Sequence, residues 1–402
     1  MKVLIINSVC GRQSTGRIVS GIKKSLIDNG HTCVIAFGEK NSIAEDDDYH
    51  IGNEFDRYIH AAYTRLFDKT GLASTKSTKG FIDFIKQYKP DVINIHNLHG
   101  YYINIVELFN FLRKYDVPVV WTLHDCWPLT GHCTHFDLIQ CNKWISGCEK
   151  CPQIREYPKS VIFDNSKSNY IFKRNLFTGI NDLTIVTPSV WLANLVKQSY
   201  LRNSRVLTIN NGIDIDSFYP MNGIDIIDAY NLHKKKVVLG VAGVWSERKG
   251  FGDFIRLSRM LDEHYQVVLI GVNKEQLDVL KGTSIIAIES TESVKELAKW
   301  YSIADCFVNL TYEDNFPTVN IEALACGTPV ITYNTGGSTE CIDNNCGFSV
   351  KKGDLKAIVT CIKNTKFDRT YCRKIGMKFD NDSRYQEYID LFSSLFDKSI
   401  RI

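Results

Sequence analysis

Short runs of aliphatic and β-branched residues alternate with longer stretches of helical periodicity along the whole chain. In the first half the apolar runs lie at residues 3–6, 32–37, 92–96, 117–123, 183–187 and 206–209. In the second half they lie at residues 235–243, 266–270, 285–288, 306–310 and 329–333. A strand-like run followed by a helical pattern, repeated in this way, is typical of βαβ units and parallel sheets. The pattern predicts an α/β protein with two parallel-sheet domains in tandem.

The two predicted domains are separated by a stretch rich in turn-forming residues that begins at Asn211 and Gly212. We expect a first domain at residues 1–212 and a second at residues 213–382. Residues 383–402 have apolar side chains at helical spacing after the second sheet should be complete, which predicts a C-terminal helix that packs back on the first domain. Parallel sheets bind ligands outside the carboxyl ends of their strands, so we expect an interdomain cleft lined by the loops that follow strands.

Composition and charge narrow the class of protein. The chain has 402 residues, of which 44% are hydrophobic and 23% are charged, as in globular proteins with more than one core. No apolar run approaches the roughly 18 residues that a membrane span requires, and residues 1–7 are too short an apolar segment for a signal peptide. The net charge of +3 is small and dispersed, which argues against nucleic acid as a partner. We therefore expect a cytoplasmic globular protein.

Two loops that follow predicted strands could bind phosphate. Gly16 lies in a predicted loop before a helix, where backbone N–H groups and the positive end of the helix dipole attract anions; a plain turn glycine is the alternative. In the second domain, Arg248 and Lys249 precede a helix and could neutralise a diphosphate without a metal ion, or form a solvated basic turn. Neither loop has the P-loop or dinucleotide-binding glycine pattern, which argues against an NAD-dependent oxidoreductase.

Residues 313–330 combine acidic side chains with the start of a predicted helix. Asp314 lies in the loop before this helix, and Glu322 lies within it, eight positions later. The two carboxylates could accept hydrogen bonds from the hydroxyls of one ribose or sugar ring, with backbone N–H groups near residues 316–318 between them. The alternative is a capped surface helix with two solvated acids.

The same stretch resembles the signature of the retaining GT-B glycosyltransferases of family 4. That signature is an acidic residue, seven further residues, a glutamate and then Ala-x-Ala-x-Gly-x-Pro-Val, which here runs from Asp314 through Glu322 to residues 323–330. Further matches occur in order along nearly the whole chain: Gly16 and residues 123–125, 187–189, 211–214, 248–250, 304–305 and 336–337. Residues 94–102 and 122–133 resemble more narrowly the colanic-acid and O-antigen branch of that family.

The resemblance implies a GT-B fold, with two facing Rossmann-like domains and an interdomain cleft, and it implies a donor site. The donor-site residues at the positions of the family pattern are Gly16, Arg248, Lys249, Asn315, Phe316, Pro317, Thr318 and Glu322. By resemblance, the Gly16 backbone contacts the donor phosphate and Glu322 binds the ribose. Lys249 and Arg248 hold the diphosphate. Pro317 departs from the pattern, because it replaces a common glycine and removes one N–H donor.

The catalytic candidates implied by the same resemblance are His124, Asp314 and Lys249. Asp314 would orient the transferred sugar, and His124 would contact that sugar from the first domain. The first acid of the signature is normally a glutamate, so either Asp314 or the adjacent Glu313 reaches the sugar. A third departure is Val244, which replaces the arginine usual immediately after the glycine of the first loop of the second domain, so Arg248 could take over its role.

The implied reaction moves a sugar from a UDP- or GDP-sugar to a hydroxyl of a polyprenyl-diphosphate-linked glycan, as in O-antigen or capsule synthesis. It would retain configuration at the transferred carbon and need no catalytic cofactor or metal ion. His96 and His99 flank the end of another predicted strand and could line the acceptor pocket or be structural. Two alternatives stay open: a nucleotide-sugar epimerase on the same fold, and a catalytically silent subunit of a polysaccharide complex, which the substitutions at Asp314 and Val244 motivate.

One predicted helix could rest on a membrane. Apolar side chains recur at helical spacing and cationic ones follow: Phe55, Tyr58, Ile59, Ala62, Tyr63, Leu66, Lys69, Lys76 and Lys79. An apolar stripe with nearby cations suits the anionic inner face of the bacterial cytoplasmic membrane, where lipid-linked acceptors reside. The alternative is a helix that packs through this stripe on its own sheet.

Four of the 13 cysteines cluster in the pattern C-x7-C-x6-C-x2-C: Cys133, Cys141, Cys148 and Cys151. Four thiolates suit a tetrahedral structural zinc site, and a metal ion would order a loop with little apolar content. The last pair has the usual spacing of zinc ligands, whereas the first two intervals are irregular. Disulfides and plain buried thiols are the alternatives.

Overall fold

The computed structural model describes residues 1–180, 182–364 and 366–400. The chain divides into two compact units: unit 1 contains Met1–Asn210 and the C-terminal segment that begins at Arg384, and unit 2 contains Asn211–Ser383. Each unit has one sheet with a hydrophobic core on both of its faces. This architecture confirms the predicted α/β class with two parallel-sheet domains.

Unit 1 contains a seven-stranded sheet, and all its strand pairs are parallel. The strands are β1 Lys2–Asn7, β2 Thr32–Phe37, β3 Tyr49–His50, β4 Val92–Ile95, β5 Val119–Thr122, β6 Thr184–Thr187 and β7 Arg205–Thr208. Their order is β3-β2-β1-β4-β5-β6-β7. All six predicted strands of this domain are present. The sequence pattern missed β3, because a strand of two residues has no periodicity to detect.

The helices of unit 1 that precede the second unit are α1 Gln13–Asp28, α2 Glu54–Phe67, α3 Thr75–Tyr88, α4 Ile105–Leu112, α5 Lys143–Ser146, α6 Ser166–Phe177 and α7 Val190–Gln198. Helix α1 buries Ile18, Ile22 and Leu26 against the sheet, since residues four apart lie on one face of a helix. Strand β1 is buried on both faces, with Leu4 in one core and Ile5 in the other. Such burial explains why the strands of this sheet are continuous apolar runs.

Unit 2 contains a six-stranded sheet, which is also parallel. Its strands are β8 Lys236–Val241, β9 Tyr265–Ile270, β10 Ile286–Ile288, β11 Cys306–Asn309, β12 Val330–Tyr333 and β13 Gly347–Val350. Their order is β10-β9-β8-β11-β12-β13. The five predicted strands are confirmed. The edge strand β13 was missed, because Gly347 and the exposed Ser349 interrupt its apolar pattern.

The remaining helices are α8 Ile224–Ala229, α9 Phe251–Met260, α10 Lys274–Leu280, α11 Val294–Ile303, α12 Thr318–Ala325, α13 Leu355–Lys363, α14 Arg369–Gly376 and α15 Asn381–Ile400. A short 3-10 helix, Glu247–Lys249, immediately precedes α9. None of the described helices combines the length and the apolar character that a membrane-spanning helix requires.

The C-terminal helix α15 packs in the core of unit 1, as predicted. Its buried side chains on that core are Tyr385, Tyr388, Ile389, Leu391 and Phe392, which join residues of β1 and α1. Close approach is possible because Gly21 of α1 has no side chain: a Cβ atom there would lie 2.4 Å from a ring carbon of Tyr385. The i, i+3, i+4 and i+7 spacing of this apolar face was visible in the sequence.

Candidate active site

In each sheet the strand order reverses direction at one place, which is the switch point of the fold. The switch point lies between β8 and β11 in unit 2, and between β1 and β4 in unit 1. Open α/β sheets bind ligands there, outside the carboxyl ends of the strands. Arg248 and Lys249 follow β8, whereas Glu313 and Asp314 follow β11. The predicted donor residues of unit 2 therefore come from the two strands that flank its switch point.

Contacts between these two loops form a charged cluster, defined here as Arg248, Lys249 and Asp314. Lys249 Nζ lies 2.5 Å from Asp314 Oδ2, and the two side chains are 24% and 18% exposed. Arg248 donates from Nη1 to the Glu313 carbonyl oxygen at 3.0 Å. The Tyr312 N–H donates to the Arg248 carbonyl oxygen at 2.8 Å. The loops are thus held together while charged atoms remain accessible at the sheet edge.

The two adjacent acids have different surroundings. Glu313 is only 3% exposed, and its backbone carbonyl is used by Arg248. The side chain of Asp314 is partly exposed and contacts Lys249. Of these two carboxylates, that of Asp314 is the more accessible to a ligand.

Two glycines permit the close packing of this region. Gly336 has a φ of +53°, and a Cβ atom there would lie 1.7 Å from the Asp314 carbonyl oxygen. Gly250 has a φ of +76°, and a Cβ atom there would lie 2.3 Å from the Leu310 carbonyl oxygen. Side chains at these positions would be strained and would displace the backbone beside the charged cluster.

The segment before α12 can offer a ligand mainly its backbone. The side chains of Asn315, Phe316 and Pro317 are buried, and Phe316 packs against Phe379 with ring centroids 5.6 Å apart. Helix α12 begins at Thr318, and no described side chain caps it by a hydrogen bond. The N–H groups of a first helical turn lack intrahelical partners, so this turn suits a hydroxyl or an anion.

Glu322 lies in the second turn of α12 and is positioned by a residue that the sequence did not reveal. The Tyr301 hydroxyl donates to Glu322 Oε2 at 2.9 Å, and Tyr301 is fully buried in α11. Burial and the nearby Glu322 charge raise the pKa of Tyr301 well above its usual value, so it remains a hydrogen-bond donor. In the sequence Tyr301 is indistinguishable from an ordinary core aromatic residue.

In unit 1 the prediction for Gly16 needs a correction. Gly16 lies in the first turn of α1 rather than in the loop before it, because the helix already begins at Gln13. The loop itself contains Gly11, whose φ is +69° and whose N–H donates to the Gly16 carbonyl oxygen at 3.1 Å. A cavity of about 570 Å³ lies here, with Arg12, Arg17 and Glu39 in its lining.

Three polar side chains form a hydrogen-bonded row at the ends of β4 and β5. His124 Nε2 lies 2.8 Å from His96 Nδ1, and His96 Nε2 lies 2.7 Å from Asn94 Oδ1. The amide group of Asn94 donates to the Val120 carbonyl at 3.1 Å and to Thr122 Oγ1 at 3.2 Å. We call Asn94, His96 and His124 the histidine row.

The contacts of the histidine row determine which nitrogen atoms carry protons. Burial lowers the pKa of His124 to about 4 and that of His96 well below its usual value, so both rings are neutral at neutral pH. The Asn94 oxygen must accept, because its NH₂ group already donates twice; His96 Nε2 is therefore the protonated atom. His96 Nδ1 then accepts from His124 Nε2–H. The acceptor nitrogen of His124 is consequently Nδ1.

A further histidine in unit 1, His99, contacts an aspartate and a tyrosine. His99 Nε2 is 2.7 Å from Asp125 Oδ2, and His99 Nδ1 is 3.1 Å from the Tyr157 hydroxyl. Burial alone would raise the pKa of Asp125, but His99, the nearby His135 and the Trp127 N–H together lower it to about 2. Asp125 is therefore ionised and orients His99. The sequence singled out His99 but not Tyr157, which is distant along the chain and carries no motif.

The four clustered cysteines are reduced and line one small cavity in unit 1. They are Cys133, Cys141, Cys148 and Cys151. In residues 1–180, 182–364 and 366–400, no group of three or more histidine, cysteine or acidic side chains is already arranged to hold a metal ion. Zinc binding by these cysteines thus stays a prediction.

Open parallel sheets bind nucleotides and other ligands at such a switch point, and in unit 2 cations and a carboxylate lie there. The chain matches two family models: Glycosyltransferase Family 4 over residues 15–217 and Glycosyl transferases group 1 over residues 224–378. The chain belongs to glycosyltransferase family 4. Its fold is GT-B, as the resemblance of its motifs implied.

One sequence relative supports the same class, and two solved structures share the fold. The chain is 24% identical over 320 residues to the putative colanic acid biosynthesis glycosyl transferase WcaC of Escherichia coli, a match that covers 76% of this chain and 77% of WcaC. Sucrose-phosphate synthase of Thermosynechococcus elongatus superposes with a TM-score of 0.73, 15% identity and 99% coverage of both chains. Anabaena HepE, solved in complex with UDP, superposes with a TM-score of 0.66 and 15% identity over 98% of this chain and 100% of HepE.

Proposed function

We propose that this protein is a retaining glycosyltransferase that moves a sugar from a UDP- or GDP-sugar to a hydroxyl of a lipid-linked surface-polysaccharide intermediate. The observation that carries the proposal is the charged cluster at the switch point of unit 2, followed along the chain by Glu322 in α12. Two similar proteins support it: WcaC is a putative colanic acid biosynthesis glycosyl transferase, and HepE was solved in complex with UDP.

The donor would be held by opposite charges and hydrogen-bond acceptors. Lys249 and Arg248 neutralise the diphosphate, and Asp314 keeps the Lys249 ammonium at the sheet edge before the donor arrives. Such preorganised charge costs no rearrangement at the moment of reaction. Glu322, held by the Tyr301 hydroxyl, accepts from the ribose. Two cations at this edge support transfer without a divalent metal ion.

The reaction breaks the bond between the sugar carbon and the diphosphate oxygen and forms a bond from that carbon to the acceptor oxygen. The acceptor proton passes to the departing diphosphate, so attack and departure occur on the same face of the sugar and configuration is retained. The protein contributes by positioning and by stabilising the charge that develops on the diphosphate. His124 Nδ1, as a neutral acceptor, suits a hydroxyl of the transferred sugar.

Exposed apolar side chains on helix α2 support the proposal of a lipid-linked acceptor. The helix buries His60 and Thr64, whereas most of its large apolar side chains are 38–71% exposed: Phe55, Tyr58, Ile59, Leu66 and Phe67. These exposures favour the membrane interpretation over packing of the whole stripe on the helix's own sheet. An outward apolar helix face is typical of proteins that rest on a membrane interface.

A second segment extends the same apolar surface. Ile162 and Phe163 are 63% and 50% exposed, and the Phe163 ring stacks on Phe67 with centroids 5.8 Å apart. The Val161 N–H donates to the Arg65 carbonyl oxygen at 2.8 Å, which ties this segment to α2. We call the surface formed by these two residues and the exposed apolar side chains of α2 the apolar patch: Phe55, Tyr58, Ile59, Leu66, Phe67, Ile162 and Phe163. With the cations that follow α2, it suits an anionic lipid surface on which a lipid-linked acceptor resides.

The function is tested by incubating the protein with radiolabelled UDP- and GDP-sugars, with and without polyprenyl-linked glycan acceptors. We expect label to enter the lipid fraction only with acceptor and donor together, with retained configuration by NMR and with undiminished rate in EDTA. Formation of a new free sugar from donor alone would instead indicate an epimerase. Calorimetry that detects neither UDP nor GDP binding would indicate a silent subunit.

Membrane contact is tested by sedimentation with phosphatidylglycerol vesicles. We expect Leu66→Asp and Ile162→Asp each to reduce the bound fraction several-fold, because each places a charge in the apolar patch. The matched control is Val279→Asp, at a 59% exposed position in α10 of unit 2, which should bind like the unchanged protein. Equal binding of all three variants, each folded, would contradict contact through the patch.

A further inference from the structure

The chain between β5 and α6 has little regular structure and encloses a small cavity. Apart from α5 and one 3-10 turn it is described by turns and bends. The cavity measures about 10 Å³, and its lining includes Cys133, Cys141, Cys148, Cys151 and His132. This volume has room for about one water molecule or ion. Five side chains of the types that bind zinc thus surround one space.

His132 has the hydrogen bonding that zinc-bound histidines show. It is 2% exposed, and its Nδ1 contacts Asp68 Oδ1. Asp68 Oδ2 accepts from the Asn165 N–H at 2.9 Å, so Asp68 acts as a carboxylate acceptor and His132 Nδ1 donates. On the other side of the ring, Nε2 is buried and has no hydrogen-bond partner. A histidine that binds a metal usually donates its other N–H to a carboxylate in this manner.

The four thiols line the same cavity, and pairs of them interact. Cys133 and Cys151 are hydrogen-bonded to each other through their side chains. The Gly131 N–H donates to Cys148 Sγ at 3.2 Å. Cys133 interacts electrostatically with both Cys148 and Cys151, whereas Cys141 interacts with Cys148. Three of the four thiols therefore form a mutual group, and Cys141 lies at its margin.

A buried cation nearby favours a negatively charged group in this region. Lys173 is 3% exposed, and its ammonium group donates to the carbonyl oxygens of Trp127 and Thr130 at 2.9 and 3.2 Å. It also lies 3.5 Å from the centroid of the Trp127 ring. Burial lowers the pKa of Lys173 to about 7, while the nearby Asp68, Cys148, Cys133 and Asp125 favour its charged form, so a further negative charge in this region would stabilise the ammonium group. A zinc ion with three thiolates carries one net negative charge.

We propose that Cys133, Cys148, Cys151 and His132 bind one structural zinc ion, with Asp68 orienting His132 from outside the coordination shell. Zinc binding releases the three thiol protons to solvent and replaces the hydrogen bond between thiols with bonds to the metal, which draws the ligands inward. This set differs from the four cysteines that spacing predicted, because His132 takes the place of Cys141. Four protein ligands leave no open position, so the ion orders the chain after β5 and does not activate water.

The test is the zinc content of the full chain, purified without added metal and measured by mass spectrometry, together with the absorption spectrum of the Co²⁺-substituted protein. We expect about one zinc ion per chain and a spectrum typical of tetrahedral thiolate coordination. Removal of the ion by a strong chelator should lower the unfolding temperature, and added zinc should restore it. None of these measurements depends on sugar transfer, so the proposal and the proposed function can fail separately.

Matched variants identify the ligands. We expect Cys141→Ser to keep one zinc ion and His132→Gln to weaken zinc binding at least tenfold, with Asp68→Asn weakening it less. A zinc-free protein whose four thiols all react freely in the folded state would overturn the proposal. Loss of zinc from Cys141→Ser with full retention in His132→Gln would overturn the proposed ligand set. Chelator titration of the unchanged protein keeps the test decisive where a variant does not fold.

Discussion

The switch points of the two sheets have the same topology and opposite chemistry. In unit 2 the flanking loops bring together Lys249, Asp314 and Arg248, which remain partly exposed and charged. In unit 1 the flanking strand β4 leads to His96, which with His124 is held neutral by burial. In both units the loops that follow parallel strands lie at the same edge of the sheet, so the fold determines where the switch point is. The burial of the side chains there determines whether they present a charge to a ligand.

This difference corresponds to two kinds of ligand chemistry. A diphosphate carries charge and gains most from exposed cations that are already positioned. A sugar hydroxyl is neutral and is better matched by an uncharged acceptor whose tautomer is determined, as Asn94 determines that of His124. The predictions below test this division from the largest expected effect to the smallest.

The largest effect is expected from removing charge at the switch point of unit 2. Lys249→Ala and Glu322→Gln should each reduce the rate of sugar transfer by on the order of a hundredfold or more, as loss of a positioned charged contact does. The matched control is Lys295→Ala, at an exposed position of α11, which should leave the rate unchanged. Near-normal transfer by a folded Lys249→Ala protein would remove the assigned donor site.

A smaller effect is expected from the histidine row. His124→Ala should lower kcat about fivefold, since a neutral hydrogen bond contributes about 1 kcal/mol. Asn94→Ala should lower kcat by less, because it removes only the group that fixes the tautomer of His96. The affinity for UDP or GDP without a sugar should stay unchanged in both variants. If either variant weakened binding of the free nucleotide as strongly as it slowed transfer, the row would have a structural role and not a sugar-directed one.

The smallest effect is expected on acid stability. Burial lowers the pKa of His60 to about 4, as for His124, whereas histidines in the unfolded chain titrate near 6.5. The unfolded state therefore binds more protons as the pH falls from 6.5 towards 4, and stability falls with it. The loss should reach about 3 kcal/mol at most for each histidine.

Calorimetric unfolding at several pH values between 7.5 and 5 measures this loss. His60→Gln should flatten the decrease, although it also removes contacts with Ser74 and the Gly71 N–H, so the slope with pH and not the absolute unfolding temperature is the decisive quantity. A stability that rises as the pH falls below 6.5 would show that these rings are protonated in the folded protein.

Much of this protein was determined by sequence alone. Eleven predicted strands are present because a buried parallel strand must be a continuous apolar run, which is visible locally. The helix α15 was likewise predicted from the spacing of Tyr385, Tyr388 and Phe392. The motif that contains Asp314 and Glu322 indicated the family because its acids, glycine and proline have the spacing of the family signature.

Other features were decided by the tertiary structure. The outward apolar face of α2 is invisible to periodicity, since a stripe has the same spacing whether it faces a core or the surrounding medium. Tyr301 and Asn94 act through contacts with residues distant in the chain, and Glu313 and Asp314 are distinguished only by burial. The physical reason is the same throughout. Spacing along the chain shows which side chains share a face, and only packing shows whether that face contacts the protein core, another side chain or the surrounding medium.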